Sequence, residues 1–303
     1  MDIQLSHIAE GDTRSIARAI SYIENQVDGY DELLSSLETK HKHNIIGITG
    51  PPGAGKSTLV DQLVDTLVAS DAHVAVLCVD PSSPFNMGAL LGDRIRMSRW
   101  YNHPNVFIRS LASRGSLGGV HPYIFEICTL LQASVFDWII IETVGVGQSE
   151  IDIAGLADIT TVVLVPESGD EIQAMKSGLM EIADVFVVNK SDRPGADMFI
   201  RNLKQILATS NTHRETPVIK TIASQKTGID ELHETLLKIF QHPATNERRF
   251  VLLAERAYQY IAKQRMKDVS KSDLLKSIQN QYTPEFNLYR FAKSFSETEV
   301  SRH

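Results

Sequence analysis

The sequence predicts an α/β fold: a doubly wound, mostly parallel sheet carrying a P-loop, with helical extensions at both ends. Three observations carry this expectation. From residue 44 to 242, near-continuous Val/Ile runs alternate with helical stretches, as expected of strands covered on both faces. The first run, Asn44 to Thr49, leads into Gly50-Pro51-Pro52-Gly53-Ala54-Gly55-Lys56-Ser57, which fits G-x-x-x-x-G-K-[ST] without a mismatch and opens an amphipathic helix. Outside those limits the pattern is helical, giving an N-terminal extension over 1–43, a nucleotide-binding domain over 44–242 and a C-terminal extension over 243–303.

Taken in order, residues 11–39 read as two helices. Ile16, Ala19, Ile20 and Ile23 recur at intervals of three and four, Asp12 or Thr13 can cap the first helix, and Asp28-Gly29 breaks it before Tyr30 to Leu37. The His41-Lys42-His43 joint matches a metal-binding pair, but without further ligands it reads as a solvated turn. Strands are expected at 44–50, 73–80, 105–111, 138–144, 159–166, 184–190 and 216–223, and helices at 56–69, 88–100, 120–134, 171–182, 195–209 and 228–241. Ligands of such a sheet bind at the carboxyl ends of its strands. After His242-Pro243, residues 245–267 form a strong helical candidate with two shorter ones at 270–280 and 284–294. The apolar stripe of 245–267 suits either packing onto its own domain or self-association.

Composition narrows the function. A hydrophobic content of 43%, a charged content of 22% and a net charge of −7 are ordinary for a soluble chain; they disfavour general nucleic-acid binding or an anionic-membrane role. No apolar run reaches the length of a membrane span, and the first residues resemble neither a signal nor a transit segment. A cytoplasmic location is expected. Cys78 and Cys128 each sit in an apolar element far from the other, which suits buried small hydrophobes rather than a disulfide or a Cys-based metal site.

The chemistry follows from spacing. In Gly50 to Ser57, glycines let backbone N–H groups curl around phosphate, the helix N-terminus adds its dipole, Lys56 reaches the β- and γ-phosphates, and the Ser57 hydroxyl, next to Thr58, ligates Mg²⁺. Asn189-Lys190-Ser191-Asp192 closes a strand and matches N-K-x-D. The Asp192 carboxylate can accept from both N1–H and the 2-amino group of guanine. Adenine lacks that donor pair, so GTP and GDP are the expected ligands. Asn189 and Lys190 would brace the loop and cover the base face, and Ser224, Gln225 and Lys226 follow the last strand, where they can reach the base edge. Trp138 to Glu142 is a buried strand ending in a carboxylate, with Gly145 three residues on; this matches D-x-x-G with Glu for Asp. Glu142 would hold Mg²⁺ directly or through water, and the Gly145 N–H would sense the γ-phosphate. Asp80 and Asp93 are further hard-oxygen candidates for the ion; Asp80 could equally cap a turn, and Asp93 could position the attacking water or be a solvated helix residue. Arg94, Arg96, Arg109 and Arg114 follow strands two and three on the expected ligand side. None stands out as a catalytic cation, so slow intrinsic hydrolysis open to stimulation by a partner is expected.

The stretches GPPGAGKST, VDPSS, LGDRIRM, SRGSLGG, ETVGVGQSE, ESGDEIQAMKSG, EIADVFVVNKSD and ASQKTGI together resemble the MeaB/ArgK-type GTPases, the methylmalonyl-CoA mutase-associated G proteins that include the human MMAA type. The similarity runs from about residue 11 to 265. It implies a homodimeric G-protein chaperone that gates adenosylcobalamin loading, from an adenosyltransferase, onto a B12-dependent acyl-CoA mutase and protects or reactivates that mutase. It further implies that Asp80, Asp93 and Glu142 are Mg²⁺-side acids, that Val144 to Glu150 form switch II, and that Ser168 to Ser177, with Gln173 and Lys176, form a switch answering to the mutase. FNMGALLGD departs from the Gly-Gly-Ser-rich run of the family, and the tail beyond about 268 matches no family pattern.

Two other classes compete. A metallochaperone GTPase for nickel or cobalt would need a Cys/His cluster, and the chain has no C-x-x-C or His-rich tract. An ArgK-like kinase or ATPase tied to amino-acid transport would need a phosphoacceptor pocket in place of switch-like glycine loops.

Overall fold

A computed structural model of the chain describes residues 4–38, 44–80, 97–112, 121–143, 149–167, 179–209, 216–241, 247–266, 269–283 and 285–300. The chain divides into two compact units, 1–249 and 250–303.

The first unit is built on seven strands: β1 Asn44–Thr49, β2 Val74–Asp80, β3 Val106–Ala112, β4 Trp138–Glu142, β5 Ile159–Leu164, β6 Val185–Val188 and β7 Val218–Lys220. They form one sheet in the order β3-β2-β4-β1-β5-β6-β7, and every pairing is parallel. The expected doubly wound sheet is therefore present, with all seven strands where the Val/Ile runs lie. The strands are mostly shorter than the apolar runs because pairing stops where the chain turns into ligand-side loops; β7 keeps only three residues of the expected 216–223.

Among the described residues, the helices of this unit are α1 Leu5–Ala9, α2 Thr13–Glu24, α3 Tyr30–Ser35, α4 Lys56–Ala69, α5 Ile124–Gln132, α6 Ser149–Leu156, α7 Leu179–Ile182, α8 Ala196–Thr209 and α9 Ile229–Gln241. One face of the sheet, through Ile46, Ile48, Val76 and Ile140, packs on α4 and α9 by way of Leu59, Leu63, Leu67, Leu232 and Leu236. The other face, through Ile45, Leu77, Ile139 and Ile141, packs on α2, α5 and α6. A third cluster joins β5 and β6 to Phe199, Ile200 and Leu203 of α8. β1 lies in the middle and feeds side chains alternately to both faces, as pleat geometry requires. At Gly47 a β-carbon would lie 2.3 Å from Ile153 Cγ2, so the missing side chain is what lets α6 approach β1.

The N-terminal segment joins the second face. Ile16, Ala19, Ile20 and Ile23 are fully buried, and Asp12 caps α2 by accepting from Ser15 N at 2.8 Å, with Thr13 the first helical residue. Helix α1 was not expected, because five residues give too short a period to read. Its Ile8 is buried, and the Ile8 carbonyl accepts from Ser134 Oγ at 2.7 Å. Cys78 and Cys128 are both buried and free, and burial pushes the Cys128 thiol pKa well above its usual range.

Helix α10, Glu247–Arg265, leads into the second unit, which also holds α11 Lys271–Gln281 and α12 Leu288–Val300. Ser270 caps α11, and the rings of Tyr282, Phe286, Phe291 and Phe295 follow one another at 5.5–5.8 Å. Along α10, Phe250, Val251, Tyr258 and Ile261 are exposed. Among the described residues no helix is long and apolar enough to cross a membrane.

Candidate nucleotide site

The carboxyl end of β1 is where the chain departs to opposite sides of the sheet, β4 on one flank and β5 on the other, and such a switch point opens a crevice. The loop that fills it is compact. Gly50 adopts φ +139°, and a β-carbon there would lie 2.0 Å from the Val163 carbonyl oxygen, so only glycine lets the loop leave against β5. Gly55, at φ +87°, turns the chain into α4, whose first two residues are Lys56 and Ser57, both buried. The Lys56 ammonium donates to the Gly50 carbonyl at 2.8 Å and the Pro51 carbonyl at 3.0 Å, curling the side chain into the loop. Its charge and the helix N-terminus thus face one concavity, an arrangement suited to phosphate.

Glu142 reaches this loop from β4, whose register sets Glu142 beside Ile48 of β1. The Ser57 hydroxyl donates to Glu142 Oε1 at 2.6 Å with the carboxylate buried. Next to them the Thr143 hydroxyl donates to Thr49 Oγ1 at 2.9 Å, which ties the ends of the two strands. A hydroxyl and a carboxylate held together in a buried crevice are the hard oxygen donors that Mg²⁺ takes, so the residues present fit that ion. Asp80 is the last residue of β2, beside Ala112 of β3, but its side chain lies outside what is described. Asp93 and Gly145 lie outside the described residues, as do 144–148 of the expected switch II and all of 168–177.

The second loop system closes the other side. Asn189 follows β6 and is buried; its Nδ2 donates to the Ala54 carbonyl at 2.9 Å, while its Oδ1 accepts from Ala223 N at 3.0 Å and Thr221 Oγ1 at 3.1 Å. One side chain therefore joins the P-loop, the N-K-x-D segment and the turn after β7. The packing is close: a β-carbon on Gly55 would lie 2.4 Å from Asn189 Nδ2. Lys190, at φ +53°, extends its ammonium to the Gly53 carbonyl at 2.7 Å, and Ser191 is tied to the Thr221 carbonyl through both its backbone N–H and its hydroxyl. Asp192, Ser224 and Gln225 are all exposed. Lys226, expected with them at the base edge, sends its ammonium instead to Asp65 Oδ2 of α4 at 2.6 Å.

One expectation is corrected. Arg109 does not point to the ligand side: it lies within β3 and donates to Glu24 Oε2 at 2.7 Å and Ser21 Oγ at 3.2 Å, both on α2. His121 Nε2 stands 3.4 Å from the other Glu24 oxygen, and His121 is fully buried. Burial works against ionising Glu24, but the adjacent His121 imidazole and the Arg109 hydrogen bond outweigh it and hold its pKa below the usual glutamate range. Arg94, Arg96 and Arg114 lie outside the described residues. Sequence reasoning missed this cluster, since Glu24 and Arg109 lie 85 residues apart and carry no local pattern; it missed the Thr49–Thr143 tie, 94 residues apart, for the same reason.

Comparison with known proteins agrees with this architecture. Residues 16–281 match the model of the family described as methylmalonyl Co-A mutase-associated GTPase MeaB. A relative from Pyrococcus abyssi is 44% identical over 254 residues, covering 82% of this chain and 78% of its own length. The methylmalonic aciduria type A homolog of Mus musculus, a mitochondrial protein, is 39% identical over 204 residues, covering 65% of this chain and 49% of its own. In structure, the chain is similar in fold to a crystal structure titled as an LAO/AO transport system kinase, with a TM-score of 0.69, 24% identity and 96% of each chain covered. With a P-loop, an N-K-x-D loop braced against it and a family match over most of its length, the chain belongs to the MeaB family of methylmalonyl Co-A mutase-associated GTPases.

Proposed function

We propose that this GTPase works as a G-protein chaperone for an adenosylcobalamin-dependent acyl-CoA mutase of the methylmalonyl-CoA mutase kind. GTP binding and hydrolysis would gate adenosylcobalamin loading from an adenosyltransferase and protect or reactivate the mutase. The observation that carries the nucleotide part is the Asn189 side chain, which joins the P-loop at Ala54 to the base-side turn at Ala223. An anion cradle and a base-selective rim are thus held in one frame. The family description and the mouse relative's name support the mutase as client.

In this reading the backbone from Gly50 to Thr58 and the Lys56 ammonium hold the phosphates. Asn189, Lys190 and Asp192 hold guanine, with Ser224 and Gln225 bounding its edge and Lys226 bracing their turn against Asp65. Ser57 and Glu142 hold Mg²⁺, with Asp80 and Asp93 as further acids, and the Gly145 N–H senses the γ-phosphate. Intrinsic turnover is slow and the protein works in the cytoplasm. The chain is organised as an extension over 1–43, a nucleotide domain over 44–242 and a dimerisation arm over 243–303; the exposed apolar residues of α10 support a pairing role.

The test is GTP hydrolysis by the purified protein, alone and with a B12-dependent methylmalonyl-CoA mutase, using Asp192→Asn as a specificity control. The expected result is a slow basal rate that rises with the mutase, and a variant that loses its preference for GTP. Equal use of ATP by the wild type would overturn the base assignment. An unchanged rate with methylmalonyl-, isobutyryl- and related acyl-CoA mutases would overturn the chaperone role.

A further inference from the structure

Two acids on one face of α4, Asp61 and Asp65, take up charged partners from both sides of the helix. Asp65 accepts from Lys226 Nζ at 2.6 Å through Oδ2 and lies 3.3 Å from Arg99 Nη1 through Oδ1. Asp61, one turn nearer the P-loop, accepts from Arg99 Nε at 3.0 Å, from Arg99 Nη2 at 2.8 Å and from the Trp100 indole N–H at 2.8 Å. The Arg99 guanidinium also lies 4.5 Å over the Trp100 ring, and that ring is buried.

We propose that Asp65 is a positioning residue that locks the base-edge turn Ala223–Lys226 to the P-loop helix, with Arg99 as its second anchor, and so sets how long a bound guanine nucleotide is retained. The inference rests on the guanine-nucleotide reading above. The turn is held from two sides: Ala223 N donates to Asn189, and Lys226 pairs with Asp65. Lys226 takes a left-handed conformation, φ +58°, which a side chain ordinarily disfavours, so its ammonium is aimed by a strained backbone. Each ion pair is partly exposed, with 30% of the Asp65 side chain and 45–46% of its two partners accessible. Such pairs add little to global stability one at a time. Here two cations share one carboxylate, and the planar Arg99 fork is fixed by Asp61 and stacked on Trp100, so geometry rather than net stability is what the cluster supplies. The property it governs is therefore the release rate of a ligand that the turn borders.

The experiment follows release of a fluorescent GDP analogue from the full-length protein chased with unlabelled GDP, in Asp65→Asn, Arg99→Met, Lys226→Met, Lys226→Gly and Lys226→Arg variants. Asp65→Asn and Lys226→Met should speed release roughly threefold to tenfold, the scale expected of a shared charge pair. Lys226→Arg should stay within about twofold of the wild type. Lys226→Gly relieves the backbone but removes the ammonium, and should match Lys226→Met. Combining Arg99→Met with Lys226→Met should give less than the product of the two single effects, because both act through Asp65. Thermal midpoints should hardly move, which separates this role from a structural one. Wild-type release in Asp65→Asn, wild-type release in Lys226→Gly, or independent effects in the double variant would each overturn the proposal while leaving guanine binding intact. Failure of the wild type to retain the analogue would remove the guanine reading, and this inference with it.

Discussion

Ser57 and Glu142, 85 residues apart, meet at 2.6 Å because parallel pairing of β1 with β4 sets both at the same end of the sheet. The contact spans the helix N-terminus and a buried strand end, so each group orients the other before any ligand arrives. Glu142→Gln keeps the shape but loses the charge. It should weaken Mg²⁺ dependence and lower hydrolysis by about 10–100-fold, the scale for disturbing a metal's supporting acid. Magnesium titration of the steady-state rate measures this, and a wild-type Mg²⁺ requirement would place the metal elsewhere.

The Asn189 amide donates to Ala54 and accepts from Ala223 at once. Asn189→Ala leaves buried partners unsatisfied, at about 1–3 kcal/mol each. The variant should lose several kcal/mol in urea unfolding and bind GDP poorly even below its unfolding midpoint. Retention of full stability would show that water replaces the amide.

Gly53 and Gly55 separate two costs. Both have positive φ, +77° and +87°, but a β-carbon at Gly53 meets nothing within 4 Å while one at Gly55 meets Asn189 Nδ2 at 2.4 Å. Gly53→Ala should therefore cost only the backbone term, about 1–2 kcal/mol. Gly55→Ala should cost more, and should also displace Asn189 and weaken GDP binding. Equal losses for the two variants in parallel unfolding and binding assays would contradict the geometry.

The Glu24 carboxylate gives a pH signature. Because burial is outweighed by the nearby His121 imidazole and the Arg109 hydrogen bond, its folded-state pKa lies below the ordinary value. Its contribution is thus complete above the usual glutamate range and is lost as pH falls through the lower, folded value. Glu24→Gln should unfold more easily at neutral pH, by about 1–3 kcal/mol, since it leaves the partly buried Arg109 without its charged partner. Its stability should also fall less steeply than the wild type's as pH drops through and below the usual glutamate range. Parallel acid limbs for the two proteins would remove Glu24 from the account.

The sheet and its covering helices α2, α4, α5, α8 and α9 were legible because each signal was local, whereas α6, Ser149–Leu156, was not among the expected helices. Val/Ile runs specify strands buried on both faces, and the spacing of Ile16, Ala19, Ile20 and Ile23 specifies the buried stripe of α2. The P-loop and N-K-x-D segments were legible because their chemistry lies in consecutive residues. What escaped was pairing at a distance. Nothing in the local sequence says that Arg109 turns from the ligand side to Glu24, or that Lys226 reaches back to Asp65. Those partners are chosen by sheet order, and strand order is not written in any one strand. Helix α1 escaped for a simpler reason: its five residues are held by Ile8 and a hydroxyl from Ser134 rather than by their own pattern.

The sheet order also bears on biosynthesis. β1 carries the phosphate loop at its end, yet both of its neighbours, β4 and β5, are made much later, the second ending at Leu164. A nascent chain that has reached only β3 holds the whole loop sequence without the strands that flank it. The Val163 carbonyl against Gly50 arrives only with β5, and the Asn189 amide on Ala54 comes later still. Nucleotide capture is therefore expected to follow, not guide, assembly of the central sheet, so that a ribosome-bound fragment ending before Asp158 retains no GTP and a stalled chain cannot act as a half-built switch.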